Sequence, residues 1–283
     1  MTVKITKTVK TNRGESRRVV DWYPQRIVCL TEEPTEILYR LGEQDRIVGI
    51  SGFTVRPAQA RKEKPKVSAF TEADIPAIVA LKPDLVIGFS DIQADIAQSL
   101  IKQGVTVLMN NHRSVEEILK TIVQIGALVG KSSEAMELAL HYRRKLEARQ
   151  AVNVGRVRKP KVYFEEWYDP IITGIRWVSE LVEAAGGEDV FVHHRNASLA
   201  RDRIVGDPVE IVNLKPDLIL ASWCGKKFKP ERMRERAGWA SMKAVQEGHL
   251  YEIPSSMILQ PGPGALGDGF DRLCEIIDRW YLK

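Results

Sequence analysis

The chain has 283 residues, of which 44% are hydrophobic and 28% charged, and these proportions exclude a disordered or fibrous protein. Its formal net charge of +5 at pH 7 permits an anionic partner without requiring one. The three cysteines, Cys29, Cys224 and Cys274, are far apart and contain no C-x-x-C pair, so they predict neither a disulfide framework nor a thiolate zinc site.

The N-terminal residues lack the apolar run of a secretory signal, and no later stretch is apolar for long enough to predict a membrane segment. We therefore expect a cytoplasmic protein, with a periplasmic location as the alternative. Residues 1–24 are predicted to be an extension or an extra strand, to which we assign no role.

The first half of the chain alternates predicted strands and helices, which is typical of a parallel α/β sheet. Ser114 and Glu117 form a capping-box pattern that predicts the start of an amphipathic helix. The other elements expected before it are a strand at 26–30, a helix at 34–42 closed by Gly42, a strand at 46–51, a helix near 92–103 and a strand at 105–109.

An internal repeat indicates that the chain contains two similar halves. The segment Leu81-Lys-Pro-Asp-Leu-Val-Ile87 recurs as Leu214-Lys-Pro-Asp-Leu-Ile-Leu220. Each copy follows a helix-like segment, which must end before the proline, and each runs into a short apolar stretch typical of a buried parallel strand.

These patterns predict an α/β protein with two Rossmann-like lobes, each built on a parallel sheet, and one long helix joining them. The stretch 132–152 contains no glycine or proline and forms that linking helix. The predicted boundaries are an N-terminal extension at 1–24, an N-terminal lobe at 25–130, a linking helix and hinge at 131–158, and a C-terminal lobe at 159–283.

Ligands of open α/β sheets bind beyond the carboxyl ends of the strands, so the residues that follow the strands are candidates for a cleft between the lobes. Aromatic side chains from both lobes would suit a broad, flat ligand. The candidate ligand-binding residues are Glu32, Phe53, Phe89, His112, Glu166, Trp167, Tyr168, Trp223, Cys224, Lys226 and Gln260.

Several blocks in the chain resemble the helical-backbone (class III) substrate-binding proteins of cobalamin and iron-siderophore ABC importers. The resemblance spans residues 25 to 283 and includes RIVCLTEEPTEILYRLG, IPAIVALKPDLVI, GVTVLMNNHRSVEEILKTIVQIGALVG and WVSELVEAAGGEDVF followed by LKPDLIL. It implies two lobes, one long connecting helix and a shallow cleft for a bulky metal chelate such as a corrinoid.

The sequence departs from that family at two positions. Family members dock to their permeases through one glutamate per lobe, five positions before the leucine of the L-x-P-D motif, where Pro76 and Val209 stand here. Neither side chain can make a charge-assisted bond to an arginine. We therefore expect docking to an ABC permease to be impaired.

Cys224 and Lys226 carry an enzymatic alternative. Nearby lysines would lower the pKa of the thiol and favour a thiolate nucleophile. A buried, inert cysteine beside a solvated basic loop is the other interpretation. No Ser-His-Asp elbow, P-loop or metalloprotease motif is present.

Histidines and a glycine-rich segment offer further possibilities. His112 and the pair His193-His194 are candidate metal ligands without a recognisable ligand set, and the rings of the pair are expected to point apart. Gly262–Gly267 matches G-x-G-x-x-G, but it lacks the βαβ context of a dinucleotide site and predicts a loop whose N–H groups favour a ligand anion.

Charged segments give no evidence for nucleic-acid binding. Arg201-Asp202-Arg203 and the run 226–236 are predicted to be solvated charged faces, because no nucleic-acid fold signature accompanies them. Glu165 and Glu166 are adjacent in a strand, so they point to opposite sides and cannot flank one bond.

We expect a non-catalytic protein that binds a corrinoid or another metal chelate, such as an iron-siderophore, without a required cofactor. The alternatives are a conventional component of a cobalamin or iron-chelate importer and a cytoplasmic enzyme that uses Cys224 and Lys226. The ligand itself, the metal ligands and the oligomeric state are not predicted.

Overall fold

The two halves of the chain each build a five-stranded sheet in the computed structural model, which describes residues 7–10, 16–19 and 22–282. Strands β1 (Lys7–Lys10) and β2 (Ser16–Val19) form a separate antiparallel pair. The extra strand expected in the N-terminal extension is therefore a hairpin, and the rest of residues 1–21 lies outside the described residues.

The sheet of the first lobe is parallel throughout, with the order β5-β4-β3-β6-β7. Its two central strands are completely buried because helices cover both faces, which explains their unbroken apolar sequences. The strands are β3 (Ile27–Cys29), β4 (Ile47–Ser51), β5 (Lys66–Ser68), β6 (Leu85–Phe89) and β7 (Val107–Asn110).

The sheet of the second lobe has the order β10-β8-β11-β12, with β9 paired beside β8. The expectation of a wholly parallel sheet is wrong for β9, which runs antiparallel to β8 because a turn at Asp169 and Pro170 returns the chain directly. The strands are β8 (Lys161–Tyr168), β9 (Ile171–Thr173), β10 (Glu188–Asp189), β11 (Leu218–Ala221) and β12 (Leu250–Glu252).

The predicted helices are present with some shifted boundaries, and the short helices at 58–63, 230–234, 243–246 and 255–258 were not predicted. Helix α1 begins at Glu32, two positions earlier than predicted, and Glu32 and Glu33 in its first turn face the positive end of the helix dipole. The first-lobe helices are α1 (Glu32–Arg40), α2 (Ala58–Glu63), α3 (Ile75–Ala80), α4 (Ala94–Lys102) and α5 (Val115–Leu128).

Helix α6 (Ser132–Asn153) joins the lobes, as the sequence predicts. Ser114 and Glu117 form the expected capping box at the start of α5, which packs along α6. The remaining helices are α7 (Arg176–Ala185), α8 (Val209–Leu214), α9 (Pro230–Arg234), α10 (Lys243–Gln246), α11 (Ser255–Ile258) and α12 (Phe270–Tyr281).

One apolar core extends through both lobes. It includes Ile27 and Ile87 of the first sheet and Val162 and Leu220 of the second, all of them fully buried. Side chains of α5, α6, α7 and α12 connect these two groups. The lobes are therefore held by shared packing as well as by the linking helix.

Candidate functional site

The loop at residues 260–264, which follows β12 and α11, crosses from the second lobe to the first. The carbonyl oxygen of Pro261 lies 2.9 Å from Nε2 of His112, and the Gly264 N–H donates to Oε2 of Glu36 at 3.1 Å. Arg56 bridges Glu36 and Asp268, with 2.8 Å between Nη2 and Oδ2 of Asp268. These contacts bring the strand ends of the two lobes opposite each other.

Two adjacent carboxylates at the start of α1 are buried on the first-lobe side. Glu32 is 6% exposed and Glu33 only 2%. Thr31 donates to Oε1 of Glu33 at 2.7 Å, but Oε2 of either glutamate has no hydrogen-bond partner among the described residues. Such buried, unpartnered oxygens are costly in a folded protein.

Burial also changes the protonation of this pair. It raises the pKa of Glu32 to about 8, with the neighbouring Glu33 carboxylate adding to the effect. Burial likewise raises the pKa of Glu33 to about 7, although the hydrogen bond from Thr31 opposes it. The pair therefore retains at least part of a proton at neutral pH.

Arg113, which follows β7, supplies a buried cation to the same wall. Its Nη2 donates to Oγ of Ser90 at 2.8 Å and its guanidinium lies 4.5 Å from the centre of the Phe89 ring, while Nε has no partner in the described part of the chain. Ser90 holds this position with a φ of 72°, a conformation that non-glycine residues rarely adopt. Sequence reasoning missed Arg113.

His112 is buried between Phe89 and the loop from the second lobe. Its ring packs edge-on against Phe89, with 5.0 Å between the ring centres, and Nδ1 has no partner within the described residues. Burial lowers the pKa of His112 to about 4, so the imidazole is neutral at neutral pH. It can offer a hydrogen bond acceptor to a ligand but no charge.

The second-lobe wall contains a buried carboxylate whose oxygens are satisfied. Glu165 is fully buried and accepts from Nη1 of Arg236 at 2.5 Å, from Nε1 of Trp223 at 3.0 Å and from the Tyr163 hydroxyl at 2.9 Å. Glu166 points elsewhere and pairs with Arg203 at 2.6 Å. The prediction that the two glutamates face opposite sides is confirmed.

Arg203 corrects the expectation of a solvated charged face at residues 201–203. Only 1% of its side chain is exposed, because it donates to Glu166 and to the carbonyl oxygen of Thr173 inside the lobe. Its Nε is without a partner in the described structure. No local pattern predicts this burial, because its partners Glu166 and Thr173 lie 37 and 30 residues away in the chain.

Aromatic and basic side chains of the second lobe line a small cavity of about 280 Å³. We term it the basic aromatic cavity. The rings of Tyr168 and Trp223 lie 4.8 Å apart, and Lys226 donates to the Tyr168 hydroxyl at 2.8 Å. Its lining residues are Tyr168, Trp223, Lys226, Lys227, Lys229 and Arg232.

Cys224 does not have the electrostatic surroundings of a nucleophile. The residue as a whole is exposed, but burial of its thiol and the nearby carboxylates of Glu166 and Glu32 raise the thiol pKa. The expectation that neighbouring lysines lower this pKa is wrong, because Lys226 turns towards Tyr168 instead. A thiolate at Cys224 is therefore disfavoured.

The glycine-rich loop also differs from its expected role. The Gly264 N–H is bonded to Glu36, so it is not open to a ligand anion. A side chain at Gly262 would meet Cβ of Glu33 at 2.7 Å, which shows why glycine is needed where this loop crosses α1. Gln260 lies half-buried at the start of the loop.

The structure brings most predicted side chains to the facing strand ends, but with different accessibility. Glu32, Phe89, His112 and Trp223 are buried, whereas Phe53 is 54% exposed. Trp167 is half-buried beside Tyr168, at a ring separation of 5.1 Å. The remaining role of each residue in binding stays a prediction.

The candidate metal ligands do not form a cluster. In the described ranges, no three His, Cys, Asp or Glu side chains are grouped so that they could hold a metal ion. The rings of His193 and His194 lie 4.4 Å apart in a helical turn, so the expectation that they point apart is wrong. His194 Nδ1 is engaged with the Thr173 hydroxyl at 2.9 Å.

Comparison with known proteins finds relatives that align with most of the chain. An uncharacterized ABC transporter substrate-binding lipoprotein of Bacillus subtilis is 28% identical over 90% of this chain and 80% of its own length. A vitamin B12-binding protein of Vibrio parahaemolyticus is 26% identical over 89% of this chain and 88% of its own.

A periplasmic heme-binding protein of Pseudomonas aeruginosa has the same fold, with a TM-score of 0.76 and 20% identity over 90% of this chain and 92% of its own. No helix among the described residues is long and apolar enough to cross a membrane. The family model described as periplasmic binding protein matches residues 27–257, and the chain therefore belongs to that family.

Proposed function

We propose that this protein is a non-catalytic binding protein that holds a corrinoid, or another metal chelate such as an iron-siderophore, between its two lobes. The observation that carries the proposal is the set of buried polar atoms without partners at the facing strand ends. Among the described residues they belong to Glu32, Glu33, His112 and Arg113 of the first lobe, with Asn110 at the end of β7 and Ser222 directly after β11.

Unpartnered polar atoms are rare in buried positions, and a bound ligand with many donors and acceptors would satisfy them. The periphery of a corrinoid is rich in amide groups, which both donate and accept hydrogen bonds. Phe53 on the first lobe, which is 54% exposed, and the half-buried Trp167 on the second offer aromatic surface to the ligand. The relatives named as B12-binding proteins support the same ligand class.

Titration of the purified protein with cyanocobalamin, cobinamide, haemin and a ferric siderophore tests the proposal. Tryptophan fluorescence and calorimetry would report binding, and we expect a dissociation constant near or below about 1 μM for one chelate. Trp167→Ala should weaken that binding at least about tenfold, whereas Trp22→Ala, which removes an 87% exposed ring far from the cleft, should not.

Failure of all four chelates to bind would overturn the proposal. Binding that is equally tight in both tryptophan variants would place the ligand outside the cleft. Trp167 is preferred to Trp223 for this test, because Trp223 is hydrogen-bonded to Glu165 in the core and its loss would also disturb the fold.

Delivery to an ABC importer is a second candidate function, favoured by the relative named as a substrate-binding lipoprotein. Pro76 and Val209 are exposed at the starts of α3 and α8, and neither can pair with a permease arginine. Stimulation of the ATPase activity of a reconstituted importer by the natural chain would establish delivery. Stimulation only by the Pro76→Glu, Val209→Glu double variant would show that docking has been lost.

A further inference from the structure

The basic aromatic cavity lies at the carboxyl ends of β8 and β11, on the second-lobe wall of the candidate cleft. Tyr168 is the last residue of β8, and Trp223 follows β11 by two positions. The volume of about 280 Å³ is too small for a whole macrocycle and suits a single arm of a larger ligand.

Aromatic rings that are tilted against one another line this cavity or lie beside it. The Trp167, Tyr168 and Trp223 rings follow one another at 5.1 and 4.8 Å between ring centres. Trp223 is fixed by its hydrogen bond to Glu165, and Phe228 packs edge-on behind it at 5.3 Å. Adjacent ring planes are inclined by 39° and 45°, so the rings provide an apolar lining rather than one flat face.

Four cationic side chains line the cavity. Lys226 and Arg232 lie 5.1 and 4.8 Å from the centre of the Tyr168 ring. Within residues 22–282, neither these two nor Lys227 and Lys229 form an ion pair with a carboxylate, in contrast to the neighbouring Arg236.

Two acidic side chains near the cavity have other partners. Glu165 is neutralised by Arg236, and Glu252 accepts the backbone N–H of Phe228 at 3.1 Å. The hydrogen bond from Lys226 lowers the pKa of the Tyr168 hydroxyl, which is consistent with a positive potential at this point.

We propose that the basic aromatic cavity binds an anionic group of the ligand. A phosphodiester and a carboxylate both supply this chemistry. The inference rests on the proposed function, because it assigns one part of the chelate to one part of the cleft.

Cobalamin carries a phosphodiester-linked benzimidazole arm, cobinamide lacks that arm, and haemin carries carboxylates. We expect the double variant Lys226→Gln, Arg232→Gln to weaken either cobalamin or haemin binding by about tenfold and to leave cobinamide binding within about twofold. The matched control, Lys243→Gln with Arg234→Gln, removes the same two charges from exposed positions outside the cavity and should change nothing.

The pattern of losses identifies the anion. A loss for cobalamin alone assigns a phosphodiester, and a loss for haemin alone assigns a carboxylate. An equal loss of affinity for cobinamide, or no loss for any probe, overturns the inference. The proposed function stands in either case, as long as the natural chain binds a chelate.

If no chelate binds, the proposed function fails. The inference about the basic aromatic cavity is then tested with the isolated phosphate-bearing arm of cobalamin. Titration with α-ribazole phosphate, a ribosyl benzimidazole phosphate, should quench tryptophan fluorescence of the natural chain and of the control. The Lys226→Gln, Arg232→Gln variant should not respond. Absence of quenching in the natural chain, or equal quenching in the variant, would overturn the inference.

Discussion

The two walls of the cleft both bury carboxylates at strand ends, but they treat them in opposite ways. Glu165 on the second lobe accepts hydrogen bonds from Arg236, Trp223 and Tyr163. Glu32 and Glu33 on the first lobe each have an oxygen without a partner in the described structure. A buried charge is tolerated when it is paired, so Glu165 has a structural role, whereas the first-lobe pair keeps oxygens that the described residues do not satisfy.

Removal of the satisfied carboxylate should have the largest effect on stability. Glu165→Gln breaks the pair with Arg236 and leaves that arginine without its buried partner, so we expect a loss of about 3 to 5 kcal/mol in the free energy of unfolding. Urea denaturation at pH 7 measures it. The control Glu137→Gln, at a 72% exposed side chain, should cost under about 0.5 kcal/mol. Equal losses of stability in the two variants would contradict the structural role of Glu165.

Removal of an unsatisfied carboxylate should instead increase stability at alkaline pH. The folded-state pKa of Glu33 is raised from 4.5 to about 7, so the folded protein binds more protons than the unfolded chain between these values and loses stability as the pH rises. Glu33→Gln should flatten this slope and make the variant more stable by up to about 3 kcal/mol at pH 8. Urea titrations at pH 4, 6 and 8 measure the slope.

Parallel slopes in the natural chain and in Glu33→Gln would show that Glu33 is ionised without penalty. Glu137→Gln again serves as the control, because its exposed side chain should leave the slope unchanged. A stabilised Glu33→Gln variant that binds the chelate less well would indicate that the first lobe keeps this carboxylate for binding.

The contact between the acidic pair and the second lobe can be altered at Gly262. An added Cβ would lie 2.7 Å from Cβ of Glu33, so Gly262→Ala should push the loop away and cost about 1 to 3 kcal/mol. The control Gly206→Ala meets no atom within 4 Å and should cost under about 0.5 kcal/mol. Thermal unfolding compares the two, and equal midpoints would contradict the close approach.

A third carboxylate, Glu117, provides the prediction with the smallest expected change in stability. It accepts the backbone N–H groups of Arg113 and Ser114, while Ser114 caps α5 in return. Ser114→Ala should cost about 1 kcal/mol, as for other helix caps. Ser133→Ala, at an exposed position in α6, is the control, and a loss below about 0.3 kcal/mol for Ser114→Ala would show that Glu117 suffices as the cap.

The sequence predicts the fold well because its signals are local. A proline after each helix-like segment, Gly42 after α1 and the Ser114–Glu117 pattern all act within a few residues. The antiparallel strand β9 escaped prediction, since its three residues carry no pattern that distinguishes direction.

The burial and pKa values of the site residues are less predictable, because they depend on residues that are distant in the sequence. Glu166, Trp167 and Tyr168 were predicted to follow a strand, but β8 continues through all three of them. The burial of Arg113 and Arg203 follows from contacts with Ser90 and Glu166 elsewhere in the chain. The thiol pKa of Cys224 was predicted from the adjacent lysines, whereas burial, together with carboxylates brought near by folding, raises it.

The apolar core shared by both lobes has a consequence for how the molecule comes apart. Because side chains such as Ile87 and Leu220 belong to one packed cluster, separating the lobes would expose apolar surface on each. We expect a single cooperative melting transition with no half-folded species, and fragments cut within α6 that fail to fold alone. Ligand binding would then protect both halves of the chain to the same extent from proteolysis and amide exchange.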